Sequence, residues 1–363
     1  MASGSQGPQL TTFVMAASRR DANHVLVSTD LEPDDCTAIV ILVQYWSIWP
    51  STMYRPTRLT WLVGESTVPK KLLMLYFWDL LCTAYPWLRK VRVSFHQDRL
   101  SDTDFPVQLD STTLERDVER TIRLDREALR DILRTGPPRV IFSLKPERTL
   151  FALIADEAQL KPDLFKRSTI WHYGGFNDRT MEKCDSTYWA TYRVCVDALM
   201  SLVHITRMEV LSEEHQQITA SSAPEYKQAF THDFSERVDC RLQYFIQTMV
   251  RRWNDHIIRV GEKLEEAMKA DPENEEAKRN YERAQRTFRS VFADRDFQQV
   301  AADQLVILLP MRQDRDDILA LSSIGPAELN IQVLRPVLTE EQKRELFCDL
   351  VGKLVRIFET SSE

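Results

Sequence analysis

The chain has 363 residues, of which 43% are hydrophobic, and a formal net charge of −7. That length buries a full core, in one large α/β domain or two ordinary ones. The acidic balance and the lack of a long basic stripe argue against nucleic acid or an anionic membrane as partner, and no apolar run is long enough to span a bilayer. The opening residues, Met1 to Pro8, are small and polar, and residues 1–20 are expected to be disordered. Thr11 to Arg20 is too short and too weakly apolar for a secretory signal. Six cysteines are scattered without a Cys-x-x-Cys pair. This suits a reducing, cytoplasmic compartment and argues against a structural zinc site. Cys36 reads as a small buried helix residue.

In chain order, the first apolar run, Val25–Val27, reads as a buried strand. It ends in Asp30, then a short turn with Pro33, then the adjacent carboxylates Asp34 and Asp35. Ala38–Trp46 follows as a helix. Further strands are predicted at Leu59–Val63, Val91–Phe95, Val140–Ser143 and Thr169–His172. Lys70–Cys82, Arg116–Arg134 and Thr149–Ala158 read as helices. Strands alternating with helices imply parallel pairing through right-handed crossovers. The predicted fold is α/β, a mainly parallel, Rossmann-like central sheet with helices on both faces. Only nine glycines are present, and no Gly-x-Gly-x-x-Gly loop disposes the chain to a dinucleotide. Arg241–Val260 reads as an amphipathic helix, and Glu262–Phe292 as a charged helical hairpin broken at Asp271–Asn274. Residues 21–363 are thus expected to form one domain, with a helical insertion at about 240–295. Leu305–Leu309 and Asn330–Leu334 should return to the sheet, and Glu340–Phe358 should close the chain as an outer helix.

Chemistry concentrates after the first strand. Three aspartates within six residues repel one another unless a cation or a polyhydroxyl ligand compensates them. Carboxylates at the C-terminal end of a strand, opening the next helix, stand where α/β sheets place ligands. Hard oxygen donors favour calcium or magnesium over zinc. The plainer reading is that Asp34 and Asp35 cap the following helix, which explains Asp30 poorly because it lies too far upstream. His172, within an apolar strand, reads as a satisfied core histidine, and His96 to Arg99 as a turn.

The segment Ser28-Thr-Asp30-Leu-Glu-Pro-Asp34-Asp35 resembles the metal motif Asp-x-Asp-Pro-Gly-x-Asp-Asp of the inosine-uridine preferring nucleoside hydrolases. Ser28 stands for the first Asp, and Leu31-Glu32 for Pro-Gly. Four later segments follow in the family's order. Leu144-Lys-Pro-Glu-Arg-Thr-Leu150 resembles Leu-Gly-Pro-Leu-Thr-Asn-Leu, and Trp171-His-Tyr-Gly-Gly175 resembles a strand ending in Met-Gly-Gly. Ala190-Thr-Tyr-Arg193 resembles Ala-Glu-Phe-Asn, and Ala302-Asp303 resembles His-Asp. The resemblance spans roughly residues 24 to 310 and marks a divergent member, longer than is usual because of the helical insertion.

What the resemblance implies is a nucleoside hydrolase-like fold and calcium-dependent cleavage of an N-ribosyl bond in a nucleoside-like small molecule. Asp30 would take the proton from the attacking water and bind calcium. Asp35, Asp303 and the main-chain carbonyl of Arg148 would complete the metal shell, and Asp34 would hold ribose hydroxyls. A homo-oligomer is the form usual among relatives. The sugar-reading positions depart as a set: Thr191 and Arg193 replace Glu and Asn, and Ala302 replaces His. Two consequences compete. The substrate has changed, with Arg193 suiting an acidic group and Asn177 supplying a replacement polar contact. Otherwise catalysis is lost, and the chain acts as a binding or scaffolding protein. A metal-dependent phosphohydrolase is a third class that also begins with strand-end aspartates.

Overall fold

The computed structural model describes residues 23–48, 55–64, 68–97, 126–145, 149–173, 207–211, 241–287, 307, 319–323 and 331–336. Its elements are β1 (His24–Thr29), α1 (Pro33–Ile48), β2 (Arg58–Val63), α2 (Val68–Ala84), β3 (Arg92–Gln97), α3 (Arg126–Thr135), β4 (Val140–Ser143) and α4 (Thr149–Leu160). Then come β5 (Thr169–Tyr173), β6 (Arg207–Leu211), α5 (Arg241–Ala270), α6 (Glu275–Thr287), β7 (Leu319–Ser323) and β8 (Ile331–Pro336). A 3₁₀ turn, Pro86–Lys90, links α2 to β3.

The strands form one eight-stranded sheet in the order β3-β2-β1-β4-β5-β6-β8-β7. Every neighbouring pair is parallel except β7 with β8. The predicted α/β class with a mainly parallel sheet is what the chain adopts. Strands buried on both faces need side chains that alternate between two apolar cores. Val25 and Val27 of β1 join one core, with Trp61 of β2, Phe142 of β4 and residues of α1, α2 and α5. Leu26, Leu62 and Ile141 point the other way, to Leu129 of α3 and Phe151 of α4. Helices therefore cover both faces. Fully burying a side chain such as Phe142 or Leu26 contributes on the order of 2–3 kcal/mol.

Helix α1 starts on Pro33, whose fixed φ suits a first helical position. It is apolar nearly all round because the sheet packs on one side and α5 on another. On the opposite face α3 is tied to α4 by Glu157, which accepts from Arg134 Nε at 2.6 Å and faces Arg130 Nε at 3.2 Å.

Several details differ from the sequence-based expectation. β3 extends to Gln97, so His96 is a buried strand residue rather than part of a turn. Ile307, the described residue of Leu305–Leu309, is buried and helical, so an apolar run here marks burial rather than strand. No strand is predicted at β6 or β7, because each is only five residues long and Leu-Ala-Leu-Ser-Ser of β7 lacks polar alternation. The first turns of α5 are core: Leu242, Phe245, Ile246 and Met249 pack against α1 and α2, and only its later half is solvated. The outer helix expected at 340–358 and the disorder expected at 1–20 lie outside the described residues.

Candidate functional site

The strand order reverses between β1 and β4: β2 and β3 lie to one side of β1, β4 and β5 to the other. The two crossovers leave the sheet on opposite faces there, which opens a crevice at the C-terminal strand ends. Asp30 follows β1 into that crevice, Gly64 follows β2, and Lys145 closely follows β4. The three ends are bound together beyond the regular register. Gly64 N donates to Thr29 O at 2.7 Å and Leu144 N to Ser28 O at 3.0 Å.

The turn from β1 to α1 is built around Asp35. Its Oδ2 accepts from Thr29 Oγ1 at 2.6 Å, from Asp30 N at 2.9 Å and from Leu31 N at 3.0 Å. Three donors on one oxygen hold the turn rigidly, and ionisation strengthens each bond. Asp35 is 1% exposed. Leu31 takes φ 60, a conformation that a branched L-residue adopts at a cost of about 1–3 kcal/mol. Its buried side chain in the core and its shared N–H, which also reaches Thr29 Oγ1 at 2.9 Å, hold it there.

Locking Asp35 leaves Asp30 and Asp34 half-exposed on the crevice side. Asp30 Oδ1 accepts from Glu32 N at 3.4 Å and Asp34 Oδ1 from Asp35 N at 3.3 Å. Both contacts are long and local to the turn. Ser28 is buried where the resembled motif has a further aspartate, which removes one negative charge.

Facing them is a lysine that the sequence reading passed over. Lys145 is only 3% exposed. A Cβ placed on Gly64 would lie 2.7 Å from Lys145 Cδ and 2.9 Å from Cε, and 3.4 Å from Asp30 Cβ. The lysine therefore leaves β4, passes the end of β1 and fills the space that Gly64 leaves vacant. Its carbonyl accepts from Ser143 Oγ at 3.2 Å. Ser143 Oγ also meets His172 Nδ1 at 2.8 Å, and the imidazole packs edge-on to Phe151. Burial first, and the Lys145 charge in smaller part, hold the His172 pKa down to about 3. His172 is thus a neutral core histidine beneath the site. The signal for Lys145 was present: it stands where the resembled Leu-Gly-Pro has glycine.

Of the predicted site residues, the structure brings Asp30, Asp34 and Asp35 to one strand end. Arg148, Asn177, Arg193 and Asp303 lie outside the described residues. The expected calcium shell can be tested only on what remains. One oxygen of Asp35 is filled by three protein donors, and a lysine side chain enters the pocket beside Asp30. Among the described residues no three carboxylate, histidine or cysteine side chains converge as a metal site.

No family model matches the chain. No characterised protein matches it by sequence. Among solved structures, the effector protein XOO4466 is similar over 92% of this chain and 93% of that one, with TM-score 0.56 and 15% identity. An inosine-guanosine nucleoside hydrolase covers 93% of this chain and 99% of its own, with TM-score 0.49 and 13% identity. The plant nucleoside hydrolase PpNRh1 covers 93% and 98%, with TM-score 0.49 and 11% identity. The likeness to the effector protein, at such identity, describes a shared fold alone.

Proposed function

We propose that the chain is a divergent hydrolase of N-glycosidic bonds in a nucleoside-like small molecule, bound at the crevice between β1 and β4. The observation that carries this reading is the division of labour among three neighbouring aspartates. Asp35 is buried and holds the turn through one oxygen, while Asp30 and Asp34 are half-buried at the strand end. A glycosidic bond breaks through an oxocarbenium-like state, so an enzyme must position a water and hold the sugar. Asp30 would accept the proton of that water, and Asp34 would accept hydrogen bonds from ribose hydroxyls. The motif resemblance supports a ribosyl ligand. Calcium, which that resemblance also implies, has no step here.

The test is release of free base from a panel of nucleosides and nucleotides. Asp30→Asn is expected to lower turnover by about 10²–10⁴-fold without a change in fold. Turnover in the intact chain that Asp30→Asn leaves unchanged would remove Asp30 from the mechanism. A second reading, binding without turnover, is favoured by one observation: the Lys145 tail occupies the space beside Asp30 that the resembled motif, with glycine at this position, leaves open. That reading expects a nucleoside-type ligand to bind with no base released.

A further inference from the structure

We infer that Lys145 determines the specificity of this pocket by bulk: its aliphatic tail occupies the room beside Asp30 and limits the size of the ligand that can be seated there. The inference rests on the crevice location that the proposed function shares, and its test reads ligand binding rather than base release.

A lysine usually lays its stem along apolar neighbours and keeps its head in water. Lys145 is 3% exposed, so its whole side chain lies among the strand ends. Its root is fixed: Leu144 N donates to Ser28 O at 3.0 Å, and the Lys145 carbonyl accepts from Ser143 Oγ at 3.2 Å. From there the tail runs past β1 toward β2. Cδ and Cε come within 2.7 and 2.9 Å of the point that a Gly64 Cβ would occupy, and Asp30 Cβ lies 3.4 Å from it. Gly64 has no positive φ that calls for glycine. What calls for it is the tail, which a side chain there would meet inside van der Waals contact. Gly64 and Lys145 are thus complementary, one giving up the volume that the other fills.

The consequence is steric. Asp30 is bordered by this tail on its β2 side and by Glu32 N, 3.4 Å from Oδ1, on its α1 side. A pocket discriminates by the volume it leaves, and one or two methylenes of bulk change affinity by about tenfold to a hundredfold. The tail therefore favours compact ligands at Asp30 over substituted ones.

The experiment titrates inosine calorimetrically into the full chain, intact and as Lys145→Ala and Lys145→Met. Lys145→Ala, which removes the tail, is expected to bind about tenfold to a hundredfold more tightly than the intact chain. Lys145→Met keeps a tail of similar reach without the charge and is expected to stay within about threefold of the intact chain. Equal affinity of Lys145→Ala and the intact chain overturns the inference, and so does an absence of inosine binding in both. A Lys145→Met chain that binds as tightly as Lys145→Ala overturns it too, because the effect would then belong to charge. A second arm needs no ligand. Gly64→Ala is expected to lower the thermal midpoint by about 3 °C in the intact chain and to leave it unmoved in Lys145→Ala, where the seat is empty. The same shift in both backgrounds overturns the inference, as does a Lys145→Ala chain that fails to fold, which would make the tail a support of the core. Tighter binding without base release would count against the proposed function alone.

Discussion

Asp35, which the sequence offers as a metal ligand, also holds the fold at the end of β1. A carboxylate at the third position of a helix commonly reaches back to the N-cap backbone. Here the reach is longer, to Asp30 and Leu31, and includes the Thr29 hydroxyl. Replacing Asp35 by alanine would take this acceptor from the Thr29 hydroxyl and Asp30 N and leave Leu31 N with Thr29 Oγ1 alone. The expected cost is about 3–4 kcal/mol, with about 1–2 for Asp35→Asn, which keeps the shape and loses the charge. Urea denaturation of the two variants checks this, and equal stability of Asp35→Ala and wild type would remove Asp35 from the turn's support. The Asp-x-x-x-Asp-Asp spacing was legible because strand, turn and helix are contiguous. Which oxygen faces protein and which faces the crevice was not, since that depends on Leu31 taking a positive φ that nothing in a leucine announces.

At the scale of elements, the first two strands, their helices, β4 and α4 were legible from apolar runs punctuated by Pro, Gly and charge. The helical hairpin illustrates where such reading stops. Asp271–Asn274 was recognised as a break, and Asn274 indeed caps α6, its Oδ1 accepting from Glu276 N at 3.1 Å and Ala277 N at 3.0 Å. Asn274→Ala is expected to cost about 1 kcal/mol, felt locally as faster amide exchange in the first turn of α6. The core strands should keep their protection, because the tip of the hairpin is solvated. Loss of protection throughout the sheet would show the tip to be coupled to the core. The burial of the other end of α5 could not be read from its charge pattern. It follows from which helices its first turns meet.

The whole molecule carries a pH dependence set far from the crevice. His24 opens β1 at the opposite end of the strand, with Nδ1 2.6 Å from Gly136 O and Nε2 2.9 Å from Thr60 Oγ1. Burial pushes its pKa down from 6.5 to about 4. The unfolded chain therefore takes up a proton near pH 6.5 and the folded chain only near 4. The stability this provides is complete above pH 6.5 and is lost as pH falls through that window. His172, lowered to about 3, acts with the same sign. Stability is expected to fall by about 3 kcal/mol per histidine across the window. The denaturation midpoint, followed from pH 7 to 4.5, should drop, and the drop should be shallower in His24→Gln. An unchanged pH slope in that variant would exclude His24.

The sequence by itself determined the α/β class, the strand–turn–helix that carries Asp30, Asp34 and Asp35, and the edge of the sheet on which they fall. Those features depend on neighbours along the chain, where apolar periodicity and turn chemistry are written directly. The tertiary structure decided which residues meet at the crevice. Parallel pairing of β4 with β1 sets Lys145 beside the end of β1, and pairing of β2 with β1 brings Gly64, whose missing side chain leaves room for the lysine tail. Long-range strand order creates that contact, and no local pattern records it.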